Sequence, residues 1–330
     1  MNIVRRGVYK LLRIREFLKD RAVYWCLLHD AGRKYSLSHF VLWLLRRGRK
    51  LVYFYGECHI NIYREALGHN AEFRKRYLMV GARDTEYLAA KHGDRLLRRE
   101  SWSKADVLIY NFGVPERPDV PALSSVLEWI PETCFQISVT NAVFKGYMPQ
   151  HTERVFANEG YFVWGDKNLN HILSSEEDPE EELSHLAGED FYDPDYVDRY
   201  FSKSLRHLKL YEKGCDIGIA DYIEEHGKER ILYYSVTHPE QEIMLEISRR
   251  LALKLGIAPA GNGGPDAADI MELHSHGEVV YPSVCKALGL PGECKKRAIN
   301  PGNYNALYTF SEYMREYVRA YRESAFVGSE

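Results

Sequence analysis

Uninterrupted apolar sequence is scarce in this chain of 330 residues. Its most hydrophobic stretches, such as Phe40 to Leu45 and Val107 to Tyr110, fall far short of the ~20 residues that a membrane-spanning helix requires. A secretory signal is not expected, because its core is an unbroken apolar run and Arg5, Arg6, Lys10, Arg13, Arg15 and Glu16 interrupt the beginning of this chain. The six cysteines, Cys26, Cys58, Cys134, Cys215, Cys285 and Cys294, form no CxxC pair and no metal-spaced cluster. They are read as thiols, which excludes a disulfide miniprotein and a zinc module. A large excess of one charge is also missing. With 44 Lys+Arg against 47 Asp+Glu the formal charge is −3, so the whole chain is no polycation for coating nucleic acid, and no nucleic-acid partner is expected. No internal repeat is seen. A soluble, cytoplasmic protein is the expectation.

What the chain does contain is the profile of a globular protein, 45% hydrophobic, 28% charged and 13% aromatic. Charge is unevenly placed: residues 1–50 hold 13 Lys+Arg against 3 Asp+Glu, and residues 151–200 hold 3 against 14. In the first region Val4, Val8, Leu11, Ile14, Leu18, Ala22 and Trp25 recur at helical spacing among basic residues. This amphipathic helix either packs on the domain with a solvated basic face or lies peripherally on an anionic membrane at its inner face. The acidic stretch Glu176 to Glu182 reads as an exposed loop.

From Leu51 onward the pattern changes. Leu51 to Tyr55, Tyr77 to Val80, Asp106 to Tyr110, Cys134 to Val139 and Ile231 to Tyr234 read as strands. Ile60 to Leu67, Thr85 to Arg99 and Ala122 to Trp129 read as intervening helices. Continuous apolar strands separated by helices predict a doubly wound, mostly parallel α/β sheet of flavodoxin-like type. Further helices are expected from Asp193-Pro194 onward, over Pro239 to Leu255 and over Tyr304 to Arg322. The expected organisation is a basic helical segment over 1–50 and an α/β catalytic domain over 51–330, with a helical insertion at about 165–228.

The most informative segment is Leu51-Val-Tyr-Phe-Tyr-Gly-Glu-Cys-His59, a strand running through a glycine turn into a helix. Open α/β sheets bind ligands at the carboxyl ends of their strands. A thiol at the following helix N-terminus is favoured as thiolate. Strand, tight turn and nucleophile form the same device as a nucleophile elbow. Cys58 is therefore the candidate nucleophile.

Gly56-Glu57-Cys58-His59 resembles the Gly-Asn-Cys-Gln signature of the WcbI-type capsular polysaccharide biosynthesis proteins. Glycine and cysteine match, whereas Glu57 and His59 depart from the pattern. The resemblance continues through Asp106 to Asn111, Asn141 to Gln150, Thr237-His-Pro239, and Tyr281-Pro-Ser-Val284 leading to Leu288-Gly289. It implies a fold related to the SGNH hydrolases and an acetyltransferase that uses coenzyme A, with acetyl-CoA as acyl donor and a sugar or polysaccharide precursor as acceptor.

Acyl transfer needs a nucleophile or activated acceptor, a base, and donors for the developing oxyanion. With Cys58 as the nucleophile, His238 is the first candidate base, because Ser235-Val-Thr-His-Pro239 joins a predicted strand to a helix. His59, adjacent to the thiol, is the rival. The hydrolase pattern would have Asp three residues before the histidine; Ser235 stands there, so Glu57 and Glu240 are the candidate orienting carboxylates. Asn111, ending the third strand, matches the Asn that donates to the oxyanion in the SGNH hydrolases. For coenzyme A the candidates are Gly56 and Asn141, with Lys145, His151 and Arg154 for its phosphates. The Gly-rich Ala260 to Pro265 lacks the Lys-Ser/Thr of a phosphate loop. His274 and His276 have no third ligand at useful spacing, so no metal is expected. The reading is a coenzyme A-dependent O-acetyltransferase of surface polysaccharide synthesis. Its rivals are an SGNH-like cysteine esterase and a catalytically silent coenzyme A-binding module of a polysaccharide biosynthesis complex, docked through the basic N-terminal helix.

Overall fold

Burial on both faces makes Leu51 to Tyr55 a central strand: Leu51, Tyr53 and Tyr55 pack with Leu78, Trp102, Leu108 and Val126, while Val52 and Phe54 are buried on the other side. The computed structural model describes residues 46–84, 99–114, 116, 121–153, 164–174, 180–258, 278–290, 296–298 and 306–327. The expected N-terminal helix, most of Thr85 to Arg99, Arg154, the Gly-rich segment and the pair His274/His276 lie outside the described residues. Two compact units emerge, the first drawn from Met1–Asn141, Gly214–Ile217 and Ile247–Asp266, the second from Ala142–Lys213, Gly218–Glu246 and Ala267–Glu330.

The first unit holds strand β1 (Lys50–Gly56), helices α1 (His59–His69) and α2 (Ala71–Arg76), β2 (Tyr77–Asp84), β3 (Val107–Asn111), α3 (Leu123–Trp129) and β4 (Phe135–Val139). Its strands form one all-parallel sheet in the order β2-β1-β3-β4. That is the flavodoxin-type order, in which the chain reverses direction across the sheet between β1 and β3. Helix α1 buries Ile60, Tyr63 and Leu67. Asn70 then ends α1 and caps α2, its side chain accepting from the N–H groups of Glu72 and Phe73. At the amino edge, Asp106 accepts from Leu51 N–H at 2.6 Å and from the Arg46 guanidinium at 2.7 Å.

Among the described residues the sheet continues beyond β4 as an isolated parallel bridge, Val139 to Ile217. The outer side of β4 is covered by Asp216, whose carboxylate accepts from both the N–H and the hydroxyl of Ser138 at 2.9 Å. Burial pushes this carboxyl up, but the bonds from Ser138 and the Lys254 ammonium 3.0 Å away outweigh it and hold it below the usual range. The expected strand Ile231 to Tyr234 does not join this sheet. It appears as Tyr233–Ser235 in the second unit, pairing antiparallel with His238–Pro239. Two residues lie between the paired segments, and so short a connection makes a hairpin, whereas a parallel crossover needs a dozen residues or more.

In the second unit follow β5 (His151–Thr152), β6 (Gly165–Asp166), α4 (Lys167–Ser174), α5 (Glu180–Leu186), α6 (Pro194–Tyr211), α7 (Ala220–His226), β7 (Tyr233–Ser235) and β8 (His238–Pro239). Then come α8 (Gln241–Lys254), which runs on into the first unit, α9 (Pro282–Leu288), the pair β9 (Lys296–Ala298) and β10 (Ala306–Tyr308), and α10 (Phe310–Val327). Helix α6 starts as its sequence predicts, with Asp193 accepting from Tyr196 N–H and Pro194 in the first turn. Glu180 to Glu182, expected in a loop, instead form the first turn of α5. Negative charge is favourable at that end of a helix dipole.

Candidate active site

Gly56 ends β1 and Cys58 is the N-cap of α1, so the thiol stands on the turn between a buried strand and a helix. Cys58 is half-buried, is not in a disulfide and makes no side-chain capping bond. The turn is fixed from the neighbouring strand. Asn111, with no exposed surface, accepts from Glu57 N–H through Oδ1 at 3.1 Å and donates through Nδ2 to the Thr140 carbonyl at 3.3 Å. One amide thus joins the carboxyl ends of β1, β3 and β4, and its orientation is set by one donor and one acceptor that need opposite ends of it. Burial and the charges of Glu57 and Glu116 push the Tyr55 phenol up to about 12, while its hydroxyl donates to the Pro121 carbonyl at 2.6 Å.

The remaining candidates of this unit divide by burial. His59, first residue of α1, is 2% exposed and belongs to the core beneath the turn. Asn141, next to Thr140, carries a buried Oδ1 that has no hydrogen-bond partner among the described residues.

In the second unit Asn141's successor, Ala142, has φ 42°, a left-handed conformation that costs a non-glycine residue of order 1 kcal/mol. The segment it starts is anchored by Phe144, whose N–H donates to the Val236 carbonyl at 2.9 Å and whose ring packs on Tyr147, Phe201 and Tyr233. Val236 lies in the hairpin that carries His238, so this segment and the hairpin are held together. Lys145 is exposed. His238 is 8% exposed, and its Nδ1 lies 2.8 Å from Ser235 Oγ and 3.2 Å from Thr237 Oγ1. The serine found where the hydrolase pattern would have aspartate is therefore a direct partner of the imidazole.

A carboxylate that the sequence reading did not select supports the same hairpin. Glu278 accepts from Val236 N–H at 2.9 Å and meets His151 Nδ1 at 2.8 Å, with both side chains no more than 6% exposed. Its own N–H donates to the Tyr234 carbonyl. His151, expected at a phosphate, is engaged by this buried carboxylate, and its ring packs at a tilt of 58° against Trp164 with 5.2 Å between centroids. The signal in the sequence was a lone Glu directly before Val279-Val280-Tyr281, an acidic residue entering an apolar run.

Cys134 and Cys215 are free as expected, whereas Cys285 is disulfide-bonded, a correction to its reading as a thiol. Disulfide pairing depends on which thiols meet in the fold, and sequence spacing does not give that. Among the described residues no group of three or more His, Cys, Asp or Glu could hold a metal ion.

Sheet order, elbow and half-buried cysteine define an α/β protein with a nucleophile-type turn at the switch point between β1 and β3. The family model described as polysaccharide biosynthesis enzyme WcbI matches residues 51–260, and the chain belongs to this family. A solved structure of WcbI is similar in fold, with TM-score 0.68 and 19% identity over 83% of this chain and 90% of that one. That structure is described as native protein without a disulfide bond between coenzyme A and one of its cysteines. Curated proteins give no match.

Proposed function

We propose that this polysaccharide biosynthesis enzyme is a coenzyme A-dependent acyltransferase that O-acetylates a sugar of a surface or capsular polysaccharide. The observation that carries the reading is the placement of Cys58 on a buttressed strand-to-helix turn at the β1/β3 switch point. With coenzyme A as donor the reaction is placed in the cytoplasm.

The residues present fit coenzyme A in part. The half-buried Cys58 thiol suits the sulfur end, and the orphaned Oδ1 of Asn141 offers an acceptor to a pantetheine amide. Exposed Lys145 can meet a phosphate, but His151 is committed to Glu278. When bound, acetyl-CoA supplies an activated thioester. In this reading Cys58 positions or attacks at that end, Asn111 keeps the turn in register, and His238, held by Ser235, takes the proton of the attacking hydroxyl.

Titration with coenzyme A and acetyl-CoA, with thioester consumption followed in the presence and absence of sugar acceptors, tests the reading. Binding with acceptor-dependent consumption supports it. Binding without consumption indicates a silent binding module, and acetate release from acetylated sugars without any coenzyme A binding indicates a cysteine esterase. Alkylation supplies the second test: coenzyme A should protect Cys58, while Cys134, whose thiol burial pushes up to about 11, should label slowly throughout.

A further inference from the structure

The amino edge of the sheet carries an unusual concentration of positive charge. Arg46, Arg47, Arg49 and Lys50 lead into β1, while Arg74, Lys75 and Arg76 lead into β2. The two stretches meet, because Lys50 is the register partner of Tyr77 and the Arg49 guanidinium donates to the Arg74 carbonyl at 3.3 Å. Of the carboxylates beside them, Asp106 is held by Arg46 and Glu72 by Arg76.

Part of this charge has a structural use. Arg74 donates to the Gly68 and His69 carbonyls at the end of α1, and Arg76 to the Gly256 carbonyl. Arg47, Lys50 and Lys75 are different: all three are exposed, and among the described residues their side chains make no hydrogen bond or ion pair. Arg47 moreover has φ 44°, next to Gly48 at φ 78°, in a turn closed by Arg49 N–H to the Arg46 carbonyl at 2.8 Å. Successive left-handed positions favour Asn-Gly or Asp-Gly. An exposed arginine kept at a strained position where asparagine would fit better points to a use for its charge.

We propose that this edge is a docking face for an anionic phospholipid surface. The chain entering it favours a membrane over other polyanions, since residues 1–45 continue the positive charge and space apolar side chains at helical intervals. An amphipathic segment joined to a polybasic patch gives the two weak signals that together hold a protein on a bilayer. A nucleic acid or acidic polysaccharide would use the charge and leave the apolar stripe without a function. Docking by this edge also places the Cys58 turn at the far end of β1, roughly 20 Å away at ~3.3 Å per residue, facing the aqueous phase. The proposal stands whether or not the site transfers an acyl group.

The test uses the full chain and vesicles of phosphatidylglycerol with phosphatidylcholine. Wild-type protein should co-sediment at low salt, release near 1 M salt, where the screening length is about 3 Å, and ignore pure phosphatidylcholine. The variant Arg47→Asn/Lys50→Gln/Lys75→Gln should bind on the order of 100-fold more weakly. Its circular dichroism should be unchanged, and Arg47→Asn alone should raise Tm by relieving the turn. Undiminished vesicle binding by the triple variant would overturn the proposal, leaving residues 1–45 as the contact. So would wild-type protein that ignores the anionic vesicles yet binds heparin or DNA in a way the triple variant loses.

Discussion

A Cβ built on Gly56 would lie 2.2 Å from Oδ1 and 2.8 Å from Cγ of Asn111, so the end of β1 and the side chain of β3's last residue occupy adjoining space that only glycine leaves open. Contact that close sets the path of the chain into Cys58. Gly56→Ala should therefore push Asn111 away from Glu57 N–H and destabilise the protein by about 1–3 kcal/mol, read by urea unfolding. Alkylation of Cys58 should change in the same variant. Asn111→Ala removes the obstructing atoms but orphans Glu57 N–H, so the double variant should cost less than the sum of the single ones. Full additivity would mean that the two residues do not define the turn together.

Glu278 is the counterpart in the second unit, one carboxylate serving both the Val236 backbone and His151. Glu278→Ala should cost about 3 kcal/mol, since it strands a buried N–H and an imidazole at once. Glu278→Gln keeps an acceptor for Val236 and should lose less. Trp164, packed on His151, gives a fluorescence signal for the same change. A Glu278→Ala protein that unfolds at the wild-type urea midpoint would show that the hairpin is held elsewhere.

Asp166 makes the stability of the second unit depend on pH. Burial raises its carboxyl to about 7, with the charge of Glu278 adding, against the lowering bonds from Leu169 N–H, the Tyr281 hydroxyl and Asn168 N–H. The folded-state pKa lies above the unfolded value of about 3.9, so the folded protein binds the extra proton. The stabilisation is fully present below about pH 4 and is lost as pH rises through about 7, a swing of a few kcal/mol. Asp166→Asn keeps an acceptor for the first turn of α4 and removes the titration. The difference in unfolding free energy between wild type and variant should therefore shift in the variant's favour between pH 4 and pH 8. A constant difference across that range would rule out this titration.

How much of this was legible depends on how local the cause is. Strands β1 and β3 announce themselves because burial on both faces demands a continuous apolar run, and α6 because Asp193-Pro194 is a complete start signal within two residues. The switch-point thiol was legible for a similar reason: strand, glycine and cysteine all fall within the short stretch Leu51 to Cys58. Ile231 to Tyr234 reads as one more apolar strand, and only the antiparallel pairing of Tyr233–Ser235 with His238–Pro239 shows that it belongs to a hairpin. The engagement of His151 was hidden because its partner lies 127 positions away. Asn111 was recognised as a polar group at the crevice, yet that its amide clamps the Cys58 turn follows from three strand ends meeting in space.

On the proposed acyl-transfer reading, the assignment of proton transfer to His238 yields the sharpest contrast. His238→Gln keeps a polar side chain beside Ser235 and should leave coenzyme A affinity nearly unchanged, while lowering acetyl-CoA turnover by roughly 10²-fold or more, because a base acts in the transition state. His59→Gln should behave differently. His59 is buried at the start of α1, so its replacement should shift Tm more than the rate, and the pH dependence of turnover should keep its wild-type shape. His238→Gln, in contrast, should remove the limb of that profile that reports the base. If turnover survives His238→Gln but vanishes in a folded His59→Gln protein, the imidazole beside the thiol is the base. The departure of Glu57-Cys58-His59 from the family signature would then mark a change in the chemistry itself.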